Sequence, residues 1–220
     1  MMTDLVLSFL KELEQNNTRE WFHANKGWYD EAKLEMESLV NTLIPGMARF
    51  DPTVKFITAK ECMFRIFRDV RFSKDKAPYK TNFGAWIAKT GRKSSGPGYY
   101  IHIQPGESFL AAGVYMPDPE TLKKIRQEIY YNIDEFKGIL EGKELKKYIH
   151  GVDEMDKLKR PPKDFPADFP DIEILKNKHF TVSCTFSEKQ LSGPNFADFA
   201  LKVYKTMYPF NVFLGRAIDG

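Results

Sequence analysis

Cysteine is scarce in this chain. Its 220 residues hold two, Cys62 and Cys184, far apart in sequence and in no metal or redox spacing, so both read as buried, reduced thiols. There is no apolar run of the about 20 residues that a bilayer span needs. The opening stretch MMTDLVLSFLKELEQNN carries an acid at Asp4 and has neither a basic leader nor a small-residue cleavage site. No signal peptide and no membrane partner are therefore expected, and the cytoplasm is the default compartment. Zinc motif, nucleophile elbow, Walker motif and dinucleotide fingerprint are also missing, and no pair of catalytic carboxylates stands out. No metal or cofactor is implied. The loop GRKSSGPG, Gly91 to Gly98, has glycines but lacks the spacing and following helix of a phosphate loop, and reads as a flexible hairpin tip.

Against these absences, 42% hydrophobic and 14% aromatic residues exclude a disordered chain. The length suffices to bury a sizeable core and is short enough for one domain, 1–220. The charge is unevenly placed. Between Lys55 and Lys93 eleven Lys and Arg face three acids, Glu61, Asp69 and Asp75, a local +8 in a chain whose net charge is +3. One basic segment on an otherwise mildly acidic protein suggests a focused site for an anionic group.

Hydrophobic spacing predicts a helix from about Asp4 to Gln15, with Thr3 as N-cap and Leu5, Val6, Phe9, Leu10 and Leu13 on one stripe. A second, longer helix capped by Thr18 carries Trp21 to Leu43 on a roughly 3.6-residue repeat, with Gly27 and Pro45 as weak points. The period then changes to two. Strands are expected near Met63 to Arg68, Phe83 to Ala88, Tyr99 to Gln104 and Ser108 to Tyr115, as an antiparallel meander with a tight Pro105-Gly106 hairpin. Helical pieces follow from Asp118-Pro119, from Ile133 to Leu140 and around Leu145 to Ile149. Pro161, Pro162, Pro166 and Pro170 then impose an extended crossover whose Phe165 and Phe169 pack on the body. His179 to Phe186 alternates as a fifth strand, and a last helix runs from about Asn195 to Ile218 with Pro209 as a kink. The fold class is α+β, an antiparallel sheet of about five strands with helices packed on one face.

The run Arg65, Arg68, Asp69, Arg71, Phe72, Asp75, Lys76, Tyr79 resembles the signature of an uncharacterised bacterial family catalogued as domain of unknown function 2461. Asn17 with Arg19, Trp21-Phe22, Ala24-Asn25-Lys26, Tyr99 to Gly113 and Arg160-Pro161-Pro162 are similar to that family as well, so the likeness spans nearly the whole chain. It implies a single-domain fold and transfers no reaction.

Arginine suits an anion site because its guanidinium stays charged and offers a planar fork of donors. Arg65, Arg68, Arg71, Lys76, Tyr79 and Lys80 are the expected ligand-binding residues for a phosphorylated or carboxylated small molecule, with Asp69 holding an arginine in orientation. The alternative is structural, the arginines pairing with Asp69, Asp75 and distant acids to fix a long loop. In YYIHIQ, alternation places Tyr100, His102 and Gln104 on one face. On a solvent face His102 is a hydrogen-bonded surface residue; beneath the basic loop it is the chain's general acid or base, assisting a hydrolysis or group transfer. Trp21, Asn25, Lys26 and Tyr29 share a helical face, either as core with a polar edge or as a lining of the same pocket. A function of a different class is nucleic-acid binding, with Lys55, Lys60, Lys74, Lys89, Arg92 and Lys93 tracking a phosphate backbone and Trp86 or Tyr100 stacking a base.

Overall fold

Alternating apolar and polar or small residues build the sheet at the centre of the computed structural model, which describes residues 4–219. Its strands are Phe83–Ile87 (β1), Gly98–Ile103 (β2), Phe109–Val114 (β3) and Phe180–Thr185 (β4), antiparallel throughout in the order β1-β2-β3-β4. Phe83, Ala85, Ile87, Tyr99, Ile101, Ile103, Leu110, Ala112, Val114, Phe180 and Val182 are all buried on one face. The helices cover that face: Lys26–Met47 (α3) packs on β1, the C-terminal Phe196–Asp219 (α9) packs on β3, and the two helices touch each other. Leu5–Gln15 (α1) joins the layer through α3, burying Val6, Leu7, Phe9, Leu10 and Leu13. The α+β class and the one-sided helical layer are as expected.

The sheet has four strands, one fewer than expected. Met63 bridges Ala85 and the Phe64 N–H reaches Gly84 O at 3.0 Å, but the chain then leaves the β1 edge to pair with its own return segment. Arg68 N–H donates to Pro78 O at 2.9 Å, Lys80 N–H to Ile66 O at 2.8 Å, and Phe67 bridges Tyr79. The backbone donors that a fifth strand would have offered to the sheet are spent inside this small hairpin.

The long second helix is two. Arg19–Ala24 (α2), capped by the Thr18 hydroxyl, ends at Asn25, whose φ of −109° and ψ of 22° leave the helical region. Asn25 Nδ2 donates to Trp21 O at 2.9 Å, the local competition by which asparagine breaks helices, so the break falls there and not at Gly27. Asp4 occupies the N-cap position of α1, and Thr3, the expected cap, lies outside the described residues.

The other connections are short. Ala59–Cys62 (α4) is held by a Thr58/Glu61 capping box. Pro119–Tyr131 (α5) starts on Asp118, which accepts from Glu120 N and Thr121 N. Ile133–Leu140 (α6) and a 3-10 turn at Leu145–Lys147 follow. The proline-rich crossover packs Phe165 and Phe169 against Tyr130, at 5.5 and 4.9 Å between ring centroids. It leads into Ile172–Leu175 (α7), and Glu188–Leu191 (α8) separates β4 from α9. Four-residue helices such as α4, α7 and α8 are too short to declare a period in sequence. Cys62 and Cys184 are buried and unpaired. Among the described residues no helix is long and apolar enough to cross a membrane, and no three His, Cys, Asp or Glu gather as metal ligands.

Candidate functional site

The strand register arranges the second face of the sheet in rows. Gly84, His102, Phe109 and Thr185 form one, and Trp86, Tyr100, Ala111 and Ser183 the next. Gly98, Gly113 and Thr181 make a third, with almost no side chain on it. Loops, not helices, flank this face and leave a cleft of about 850 Å³ over it. The wall beside β1 is Phe64, Lys80, Arg92 and the turn Ser94 to Gly96; the wall beside β4 is Asp153, Glu154 and Met155. A hollow on the helical side, between Glu35 and Ala197, encloses only about 90 Å³.

Two glycines make the floor possible. A Cβ on Gly84 would lie 2.4 Å from the Tyr100 hydroxyl, so glycine there leaves the phenol its place over β1 and any other residue would displace it. Gly113, with φ of +128°, would put a Cβ 2.1 Å from Phe180 O.

His102 is held from every side. Its Nδ1 accepts from the Tyr100 hydroxyl at 3.0 Å and the Asn82 amide at 3.3 Å, while Nε2 donates to Gln104 Oε1 at 3.0 Å. These partners select the Nε2–H tautomer. Gln104 in turn donates to Glu107 Oε2 at 3.0 Å, and Phe109 stacks on the imidazole at 4.8 Å. Burial holds the His102 pKa below its ordinary value, against the opposing pull of Gln104 and Glu107, so the ring is neutral near pH 7. Burial pushes the Tyr100 hydroxyl up to about 12, with Tyr115 adding to it. With both ring nitrogens occupied, the Tyr100 hydroxyl and not the imidazole is the polar group nearest the open cleft.

Lys80 is the cation of the cleft whose side chain makes no hydrogen bond to the backbone beside it. Its Nζ lies 5.5 Å from the Phe64 ring centroid, and no carboxylate pairs with it among the described residues. Burial, and then the nearby Arg65, hold its pKa below the ordinary lysine value. Arg92, also on the wall, is engaged elsewhere: its Nη1 donates to the carbonyls of Lys60 and Glu61 at 2.7 and 3.1 Å, closing the end of α4.

His102 and Lys80 thus meet in the cleft, whereas Arg65, Arg68, Asp69, Arg71, Lys76 and Tyr79 do not line it. Arg68 pairs with Asp75, and Arg71 makes a two-point pair with Asp69 at 2.9 and 2.6 Å. Lys76 Nζ donates to Val70 O at 3.0 Å. The Arg71 side chain holds the Asp69 carboxyl below the usual range, and the Ala77 N–H followed by Arg68 does so for Asp75. Tyr79 is buried against Phe22, ring centroids 4.0 Å apart. Arg65 is exposed beside Lys80. The signature therefore folds into a self-paired hairpin whose return strand delivers Lys80. On the helices, Tyr29 packs on Phe9 and Phe22, and Lys26 pairs with Asp30, away from the cleft.

Phe64, Asp153, Thr181 and Ser183 belong to the cleft and went unread as site residues. The alternation of His179 to Phe186 placed Thr181 and Ser183 on a polar face, which was the available signal. Asp153 offered none, because its place depends on strand residues 28 and 30 positions away.

An α+β protein with a charged, aromatic cleft on the open face of an antiparallel sheet is the class that fold and geometry define. The chain belongs to the family described as Conserved hypothetical protein (DUF2461), whose model matches residues 5–213, from the start of α1 into α9. No curated protein and no solved structure matches it.

Proposed function

We propose that the open-face cleft binds a small molecule bearing a phosphate or carboxylate, with Lys80 as counter-ion and Phe64, Trp86, Tyr100 and Phe109 receiving an apolar body. The observation that carries this is Lys80 itself: a half-buried ammonium without a carboxylate partner among the described residues, opening on an aromatic cavity of ligand size. A desolvated charge without a counter-ion is costly, and an anionic ligand removes that cost. Arg65 adds positive field. Arg68, Asp69, Arg71, Lys76 and Tyr79 serve by holding the hairpin that presents Lys80, and Tyr100 backed by His102 is the acid or base for a hydrolysis or group transfer on the bound molecule.

Phenyl phosphate and benzoate are suitable probes. Calorimetry is expected to show binding that falls at least about tenfold in Lys80→Met, the worth of one charge-assisted hydrogen bond, and is unchanged in Arg71→Ala. Equal affinity for the parent and Lys80→Met, or a crystal with the anion on Arg68 and Arg71 outside the cleft, overturns the reading.

A second reading has one observation in its favour. Lys55, Lys60, Lys74, Lys89 and Lys93 are exposed and enter none of the ion pairs among the described residues. If they follow a nucleic-acid backbone, affinity for a single-stranded oligonucleotide falls steeply with salt; no binding at low salt removes this reading.

A further inference from the structure

Asp153 stands across the cleft from Lys80. It follows Gly151, whose φ of +142° turns the loop, and its N–H donates to Thr181 O at 2.8 Å along the outer edge of β4. Its carboxylate oxygens accept from Thr181 Oγ1 at 2.7 Å and Ser183 Oγ at 2.6 Å, two hydroxyls of the cleft floor. No lysine or arginine pairs with it among the described residues, whereas the adjacent Glu154 is paired with Lys157. The two hydroxyls orient the carboxylate without neutralising it, and its oxygens retain further lone pairs.

The cleft thus carries uncompensated positive charge on the wall beside β1, at Lys80 and Arg92, and uncompensated negative charge on the wall beside β4, at Asp153. Three inter-strand spacings, about 14 Å, make up the width of the sheet from β1 to β4, and Lys80 and Asp153 rise from the walls on either side of it without forming an ion pair. We infer that the ligand of this cleft is an extended zwitterion, its ammonium at Asp153 and its anion at Lys80, and that a peptide of about four residues with free ends is the chemistry that fits. Four extended residues reach roughly across that width of sheet. The floor between the charges suits a main chain at Ala111, where a methyl leaves low ground beside the rings of Tyr100 and Phe109. This inference rests on the cleft being a ligand site and adds the second charge and the length.

The test is calorimetry on the full chain with the peptide Ala-Ala-Phe-Ala in three forms: free, N-acetylated and C-amidated. The free peptide is expected to bind, and each cap to cost at least about tenfold. Asp153→Asn is expected to cost the free peptide a similar factor and to leave the acetylated one unaffected. Equal affinity of free and acetylated peptides for the unaltered chain overturns the inference, and that arm stands even where Asp153→Asn disturbs its loop. If the caps are neutral while phenyl phosphate still binds in a Lys80-dependent way, the zwitterion fails and the anion site stands. If neither peptide nor phenyl phosphate binds, both fail.

Discussion

Asn17 and the backbone of Tyr79 exchange two hydrogen bonds: the Asn17 amide donates to Tyr79 O at 3.0 Å, and Asn17 Oδ1 accepts the Tyr79 N–H at 3.1 Å. A side chain in the turn between α1 and α2 thereby imitates a strand partner for the return arm of the signature hairpin, one residue before Lys80. The Phe22–Tyr79 stack closes the same joint. The helical layer and the cleft wall are in this way one mechanical unit.

Asn17→Ala leaves a part-buried N–H and C=O of Tyr79 unpaired. Denaturant melts are expected to show a loss of about 2 kcal/mol, the range for orphaned buried polar groups. Affinity for phenyl phosphate should fall as well, because Lys80 loses its fixed position. A melt indistinguishable from the parent would remove Asn17 from this role.

The neutral, buried His102 predicts a pH dependence. Its folded pKa lies below the ordinary value of 6.5, so the unfolded chain binds the proton more readily. The contribution to stability is complete above about 6.5 and is lost as pH falls through the depressed folded value. Denaturant melts between pH 8 and pH 5 should show the parent losing more stability on acidification than His102→Gln, with the difference confined to the range below 6.5. Parallel profiles for the two proteins contradict a buried neutral imidazole.

Much of this was legible in the sequence because it is local. The stripe Val6, Phe9, Leu10, Leu13 announced α1, and the alternations around Trp86, Ile101, Leu110 and Val182 announced β1 to β4 within a few residues. Met63 to Arg68 has the same local texture, yet which backbone it pairs with is decided by Pro78 to Lys80, more than ten residues on. Charge density marked the segment that carries Lys80 to the cleft wall. It could not separate the bases that close on acids within the loop, Arg68 on Asp75 and Arg71 on Asp69, from Lys80, which faces the cleft with no acid paired to it among the described residues. His102 was visible by alternation, but the hydroxyl standing between it and the cleft required the register that lays Tyr100 over Gly84.

The Arg68 pair follows from the same geometry. A closed network around a buried carboxylate would make Arg68→Ala cost several kcal/mol. The partner here is Asp75, whose side chain is 64% exposed, and pairs of that kind contribute little. Arg68→Ala is expected to lower stability by no more than about 1 kcal/mol, less at high salt, and to weaken phenyl phosphate binding only slightly. A loss of about 3 kcal/mol would restore the purely structural account of the signature.

Lys80 should behave in the opposite sense. In the free protein its ammonium is half-buried over Phe64, beside the like charge of Arg65, with no acid paired to it among the described residues. Methionine has a similar length and rests on an aromatic face without the charge. Lys80→Met is therefore expected to leave the unliganded protein as stable as the parent or more so, by on the order of 0.5 kcal/mol, since much of the desolvation is already relieved by water at the exposed side. Phenyl phosphate should raise the melting temperature of the parent and leave that of Lys80→Met unmoved, because a ligand stabilises only the state that binds it. A variant clearly less stable than the parent would mean that the ammonium holds the hairpin together; one that still responds to phenyl phosphate would place the anion on another side chain. The combination of unchanged or improved stability with lost ligand response is the mark of a residue kept for binding at the expense of the empty fold.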